Sequence, residues 1–380
     1  MAVRRLPSVP ALAIVLAGIA SARAQTAAPG WTWRVHAVNV STLTANGGGS
    51  EMVTQVRATK EVFVRSTRYP DGDRVQISKI TPGGGVSILF DQTNTFRNSG
   101  ESGIHYDPFS GRLLIANEVP NPGTMVGVLP STGAASTLHT FAWRFNPAGN
   151  GTGQQRCCSG PAGSGLVYVW DSTTASVYEV NLSNGVRRVL LALDPSHAAG
   201  QHVATALNDV EFDARAGTVL TSDRLSVSIM ETVPATAVTT VLQPLPGVGG
   251  SAIALDAGRG RVFALTPAGL SDTLYMAPKG SAGWAPVLSG LDHATDVTLG
   301  RAALADRPAL FITERLKNRV LELTLDCPAD WNADGGVDDF DFFEFLNDFF
   351  ATPPNADFNE DGTTDDFDYF DFLNAFNAGC

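Results

Sequence analysis

Between Trp31 and Asp326 apolar and polar positions alternate, β-branched residues are frequent, and turn residues break the pattern every few positions, with almost no helical periodicity. Four segments share one design: GIHYDPFSGRLLIANE from Gly103, NDVEFDARAGTVLTSD from Asn208, SAIALDAGRGRVFALT from Ser251 and TDVTLGRAALADRPALFIT from Thr295. Each reads as a strand, a polar turn built on Asp, Gly or Arg, and a second strand. The last three begin 43 and 44 residues apart, and the first two are 105 apart, room for two units. The unit between them centres on GLVYVWDSTTASVYEVNL from Gly165, after a long loop that contains Cys157 and Cys158. QVRATKEVFVRS and RVQISKITPGGGVSILF supply one more unit near the start, which makes six.

A strand-only period in the low forties is the mark of a propeller, because each period is one four-stranded blade. The early strand WTWRVHAVNV from Trp31 is placed to close the ring by joining the last blade. A β-sandwich is the alternative, since a period does not by itself prove closure. The fold class expected is therefore mainly β: a six-bladed β-propeller over residues 31–326, followed by a small all-α unit over residues 327–380. The 38 Gly and 22 Pro of the 380 residues agree with many turns.

At Cys327 the pattern changes. ADWNADGGVDDFDFFEFLNDFF from Ala329 aligns without gaps to ADFNEDGTTDDFDYFDFLNAFN from Ala356, a duplication with a 27-residue offset. Each copy starts D-x-N-x-D-G, the opening of a calcium loop. In the first copy Asp330, Asn332, Asp334, Asp338 and Asp341 fall at positions 1, 3, 5, 9 and 12, with the Gly336 carbonyl at position 7. In the second they are Asp357, Asn359, Asp361, Asp365 and Asp368, with the Thr363 carbonyl. Calcium is a hard cation that takes six to eight oxygens, and carboxylates gathered this closely repel one another without it. Two bound Ca2+ ions are expected. Prolines at 328, 353 and 354 argue against a helix entering either loop, so each unit is loop then exiting helix.

Charge agrees with this division. The chain has 38 Asp plus Glu; 14 lie between Cys327 and Cys380, where there is no Lys or Arg, so 24 acids face 26 bases elsewhere. No basic patch suggests nucleic acid. The N-terminus has Arg4 and Arg5, an apolar run from Ala11 to Ala20 and the small-x-small triplet Ala22-Arg23-Ala24. That reads as a secretory signal peptide over residues 1–24, too short to span a bilayer, so no transmembrane span is expected in the mature chain. Cysteines in an exported protein point to disulfides. Cys327 and Cys380 bracket the acidic tail and are expected to pair; adjacent Cys157 and Cys158 would form a strained vicinal disulfide or stay free.

The tail, with CPADWNADG at its start and NAGC at its end, resembles the Gly-Cys-terminated dockerin-like domains of exported bacterial proteins. The resemblance covers residues 327–380 and implies calcium-dependent folding and attachment to a cohesin-like or other surface receptor. It places the protein outside the cell or at its surface. Positions 10 and 11, which set cohesin choice in that family, are Asp339-Phe340 and Asp366-Phe367, so cohesin specificity does not transfer. The aromatics exceed what so small a module can bury, and Phe342, Phe350 and Tyr369 are the expected partner surface. Joined to the body by a short junction at Asp326-Cys327, the tail is expected to melt independently.

For the body, two readings differ in class: a non-catalytic binding or display module, and an enzyme. GESGIHYDPFSGRLL resembles the metal-binding Glu motif of gluconolactonase-like six-bladed propellers. That resemblance implies one divalent ion in the central channel held by Glu101, Asn208 and Asp296, with Ser251 where an Asn is expected, and Asp296 as general base of a lactonase or esterase. No Ser-His-Asp order or nucleophile elbow stands out.

Overall fold

The structure, a computed structural model, describes residues 25–43, 49–67, 74–93, 103–117, 124–140, 155–171, 176–192, 209–223, 226–247, 252–266, 272–304, 307–325, 327–331, 336–351, 356–358 and 363–379. The expected signal segment, residues 1–24, lies outside these.

Six antiparallel sheets follow one another along the chain, at residues 49–93, 105–140, 155–192, 210–244, 253–291 and 294–325, here blades 1 to 6. In each, sequential strands pair in sequential order. The strand Trp31–Val38 pairs with Arg319–Leu325, Trp31 opposite Leu325, and so forms the outermost strand of blade 6. Thr26–Ala27 adds a short fifth strand to blade 5. The ring is closed. The innermost strands, Gly49–Val56, His105–Asp107, Gln155–Ser159, Val210–Asp213, Ile253–Asp256 and Ala294–Arg301, touch in succession, and the last touches the first. A sandwich has no such cycle, and the expected six-bladed propeller with N-terminal closure is what the chain forms.

The apolar core is divided among the blade junctions. Met52, Phe63 and Ile77 of blade 1 pack on Ile104, Leu113 and Val126 of blade 2, and each of the other five junctions has its own buried cluster. Inner strands are therefore covered on both faces by neighbouring blades. This is why Thr218–Asp223 and Arg261–Thr266 are buried at every position, while the edge strand Val238–Pro244 is largely exposed.

The first hairpin of blades 2, 4 and 5 has a shared Asp-x-x-x-Gly turn. Asp107, Asp213 and Asp256 accept the amides of Ser110, Arg215 and Arg259 at 2.9, 2.9 and 3.1 Å. Gly111, Gly217 and Gly260 close these turns at φ of 65°, 65° and 58°, a region costly for residues with a Cβ.

The cysteine pair differs from expectation. Cys157 and Cys158 sit in the innermost strand of blade 3, rather than in a loop, and both are free and buried. Neighbouring strand residues face opposite sides. Cys157 packs toward blade 2 and Cys158 toward blade 4, so their side chains diverge. The segment QRCCS shows no alternation because both of its faces are covered.

After the ring come two helices, α1 (Asp339–Phe349) and α2 (Asp366–Ala378). Asp338 and Asp365 cap them, each inside a capping box closed by Asp341 or Asp368. Between them Phe345 and Phe372, equivalent residues of the two copies, stack at 3.9 Å with rings 2° apart. Ala329, Trp331 and Ala356 complete the buried centre. Phe342 and Tyr369, expected at a partner surface, pack against this centre instead. Phe350 is 74% exposed, and the other outward aromatics are Phe340, Phe343, Phe367 and Phe370. The helical period decides this, because Phe342 and Tyr369 lie three residues before Phe345 and Phe372 and so share their faces.

The two parts, expected to melt independently, share contacts beyond the chain junction. Arg261 of blade 5 donates to the carbonyls of Asp330 and Trp331, the Arg259 guanidinium lies 5.0 Å from the Trp331 ring centroid, and Arg215 of blade 4 stands 3.6 Å from Asp348. The acidic module is docked on the propeller.

Candidate functional site

The channel end of the propeller is built from the beginnings of the innermost strands. A register shift between Ala294 and Asp296 sets the local geometry around Asp296. Its Oδ1 accepts from Arg156 Nη1 at 2.6 Å and its Oδ2 from the Val53 amide at 2.8 Å. Arg156 Nη2 also reaches the Thr295 carbonyl at 3.4 Å. One buried ion pair thus joins blades 6, 3 and 1.

The same device recurs around the ring. Thr54 Oγ1 accepts the Tyr106 amide, His105 Nε2 that of Ser159, Asp209 Oδ2 that of Ile253, and Asp272 Oδ2 that of Ala294. Each bond crosses from one blade to the next. Side chains that mark strand beginnings in the sequence are, in three dimensions, the stitches between blades.

Burial shapes their protonation. It pushes Asp209 up to about 6, against the pull of Arg156, and raises Asp296 and Glu211. It lowers His105 to about 4, which keeps the ring neutral and able to accept the Ser159 amide. Ser159 Oγ donates to Asp107 Oδ1 at 2.8 Å and lies 3.1 Å from His105 Nε2, so the hydroxyl ties these two side chains of blade 2 to blade 3. Burial pushes the Cys157 thiol up to about 12 and Cys158 well up, which favours the protonated thiol at both.

Of the residues assigned to a channel metal, Glu101, Asn208 and Ser251 lie outside the described residues. Asp296 is described, and it does not fit. Both oxygens are engaged by the propeller's own donors, and the nearer is a guanidinium that already supplies the positive charge. A divalent ion at that carboxylate would face the guanidinium at close range with little water to screen it. A general base at Asp296 would have to take its proton in competition with the guanidinium held against the same carboxylate. Arg156 is the residue that sequence reasoning missed; a lone charge in QRCCS gives no sign of its partner 140 positions away.

The acidic module lies at the other end of the same strands. Val210–Asp213 starts beside Asp209 in the channel and ends at the turn that brings Arg215 to Asp348. Asp330 is 3% exposed, and Asp341 and Asp368 are fully buried. One oxygen of each position-12 carboxylate accepts an N-cap amide, from Asp338 at 3.0 Å and Asp365 at 2.9 Å. Asn332, Asp334, Asn359 and Asp361 lie outside the described residues, and among the described ones no three acidic, His or Cys side chains gather as a metal site. Buried carboxylates in a module without a single base nevertheless match the oxygen chemistry of calcium. Asp357, Gly336 and Thr363 are described at their loop positions. Cys327 is buried in the module and is not among the free thiols; Cys380 lies outside the described residues.

These features define the class: a six-bladed β-propeller with a C-terminal pair of capped helices. No protein-family model matches the chain, and no curated protein matches it in sequence. Solved structures do share the fold. A structural-genomics protein of unknown function from Bacteroides thetaiotaomicron is similar with a TM-score of 0.55 at 10% identity, over 79% of this chain and 76% of that one. Regucalcin, a calcium-binding protein from Agrobacterium tumefaciens, is similar with a TM-score of 0.51 at 14% identity, over 78% and 94%. Streptogramin B lyase has a TM-score of 0.46 at 8% identity, over 78% and 98%. At these identities the likeness shows the fold alone. Among the described residues no helix is long and apolar enough to cross a membrane.

Proposed function

We propose that this chain is an exported propeller held at a cell surface or in an extracellular complex by a calcium-dependent, dockerin-like module, with the propeller serving as a non-catalytic binding or display domain. The observation that supports it most is the duplication: two loop–helix units, each with a buried acid at position 12 closing the capping box of the helix that follows. Two Ca2+ ions would be held by Asp330, Asn332, Asp334, Asp338 and Asp341 with the Gly336 carbonyl, and by Asp357, Asn359, Asp361, Asp365 and Asp368 with that of Thr363. A Cys327–Cys380 disulfide would close the module. The receptor is a cohesin-like or other surface protein that meets outward aromatics such as Phe350.

The test is fractionation of cells making the full chain, with and without chelator, beside a chain lacking residues 327–380. Retention released by chelation and absent from the truncated chain is the expected result. Retention unchanged by the truncation removes the attachment role. The competing reading, a lactonase or esterase, is supported by the acidic residues Asp209, Glu211 and Asp296 around the channel and opposed by the Arg156–Asp296 pair. Metal analysis of the truncated propeller separates the two: a stoichiometric divalent ion supports the enzyme.

A further inference from the structure

The two copies of the module are alike in their loops and their stacked phenylalanines, yet they differ where the propeller touches them. Trp331 of the first copy corresponds to Phe358 of the second, and Asp348 to Ala375. In the first copy Trp331 Nε1 donates to Asp348 Oδ2 at 2.9 Å, a bond that the Phe–Ala pair cannot make. Trp331 and Asp348 both face arginines of the propeller. The Arg259 guanidinium lies over the Trp331 indole, and Arg215 stands by the Asp348 carboxylate. Behind them Arg261, only 5% exposed, donates to the carbonyls of Asp330 and Trp331, the first two residues of the first calcium loop.

We propose that the first repeat is a dock for the propeller's own blades 4 and 5, and that calcium occupancy of its loop is linked to this docking. The proposal rests on the calcium-dependent module put forward above. Its physical basis is pre-organisation. Arg261 fixes the backbone at loop positions 1 and 2 from outside, so part of the ordering that calcium demands is already done. Linkage is reciprocal: what the dock does for calcium affinity, calcium does for the dock.

The sign comes from pre-organisation and not from charge. The first loop has the carboxylates of Asp330, Asp334, Asp338 and Asp341, and an ion of charge two leaves it net negative. Arg215, Arg259 and Arg261 therefore stay attracted after calcium binds, though less strongly, and the ordering of the loop backbone by Arg261 has to outweigh that loss. Around Arg261, Asp256 and Glu344 add further negative charge. In the second copy Asp357 approaches the blade 5 turn through its carbonyl, near Gly258.

The experiment uses the full chain. Trp331→Phe with Asp348→Ala gives the first copy the residues with which the second already folds, and Arg259→Gln with Arg261→Gln attacks the same contact from the propeller side. Calcium titration followed by calorimetry and thermal melting are the readouts. In the wild-type chain we expect two unequal sites, differing on the order of tenfold, and a propeller transition that rises in temperature with calcium. Both double variants should weaken the tighter site until the two are alike, and should remove the calcium dependence of the propeller transition. Two sites with the same affinities in wild type and both variants would overturn the dock and leave the calcium module standing. No calcium binding in any of the chains would overturn both.

Discussion

Acidic residues collect at both ends of the innermost strands, and the two ends neutralise them differently. In the channel Asp296 meets Arg156, a cation built into the chain and buried with it. In the module 14 acids face no base of their own, and what the chain provides comes from outside, as the arginines of blades 4 and 5 at its edge. A fixed cation makes the channel independent of solutes and rigid. In the function proposed above, a missing cation makes the module conditional on an ion from solution. The comparison teaches that acidic composition does not mark a metal site until the counter-charge has been located.

The largest expected effect tests the conditional end. Chelation, or Asp341→Ala together with Asp368→Ala, should abolish the helical signal of α1 and α2 by circular dichroism, while the strand signal persists. Each substitution also opens a capping box, worth about 1 kcal/mol by itself. Full helicity in chelator would make the two ends alike.

Next comes the fixed end. Arg156→Met leaves Asp296 buried without its partner and should cost the propeller about 3–5 kcal/mol in denaturant unfolding. Arg156→Met with Asp296→Leu should recover much of this, because a buried pair exchanged as a unit for apolar groups is often near neutral. Equal losses in the single and double variants would show that the pair is not a unit.

Smaller still is the dependence on pH, in which two channel groups act oppositely. Asp209 is raised to about 6 from an ordinary value near 3.8, so its contribution is complete below that ordinary value and is lost as pH rises through about 6. His105 is lowered to about 4 from 6.5, so its contribution is present above 6.5 and is lost as pH falls through about 4. Melting temperatures of Asp209→Asn should therefore fall less than wild type between pH 4 and 7. Those of His105→Gln should fall less on acidification over the same range.

The smallest effect on stability is expected at the exposed rings. Phe340→Ser with Phe367→Ser should change stability by no more than about 0.5 kcal/mol, since both rings are in solvent. Surface retention should nevertheless drop. Unchanged retention would move the partner surface elsewhere on the module.

Much of the fold was legible in the residues. Repeats 43 and 44 residues apart mark blades because each blade satisfies its own backbone hydrogen bonds through local hairpins, and local order leaves a periodic trace. The proposed calcium loops rest on the same kind of local signal: their expected ligands and turn glycine lie within twelve consecutive positions. Turns such as Asp213 to Gly217 announce themselves within five residues.

What only the tertiary structure decided depends on closure of the ring and on docking. Closure places Arg156 against Asp296, sends Cys157 and Cys158 into different junctions, and turns Asp296 from a candidate metal ligand into a stitch held at both oxygens. Docking spends Trp331 and Asp348 on the propeller, and helix packing sets Phe342 and Tyr369 half-buried against the module's centre while leaving Phe340 and Phe367 outside. Such pairings join residues far apart in the chain. Their energy comes from burial and charge at a contact that no local pattern encodes, so a sequence shows the parts and the assembled ring shows what each part meets.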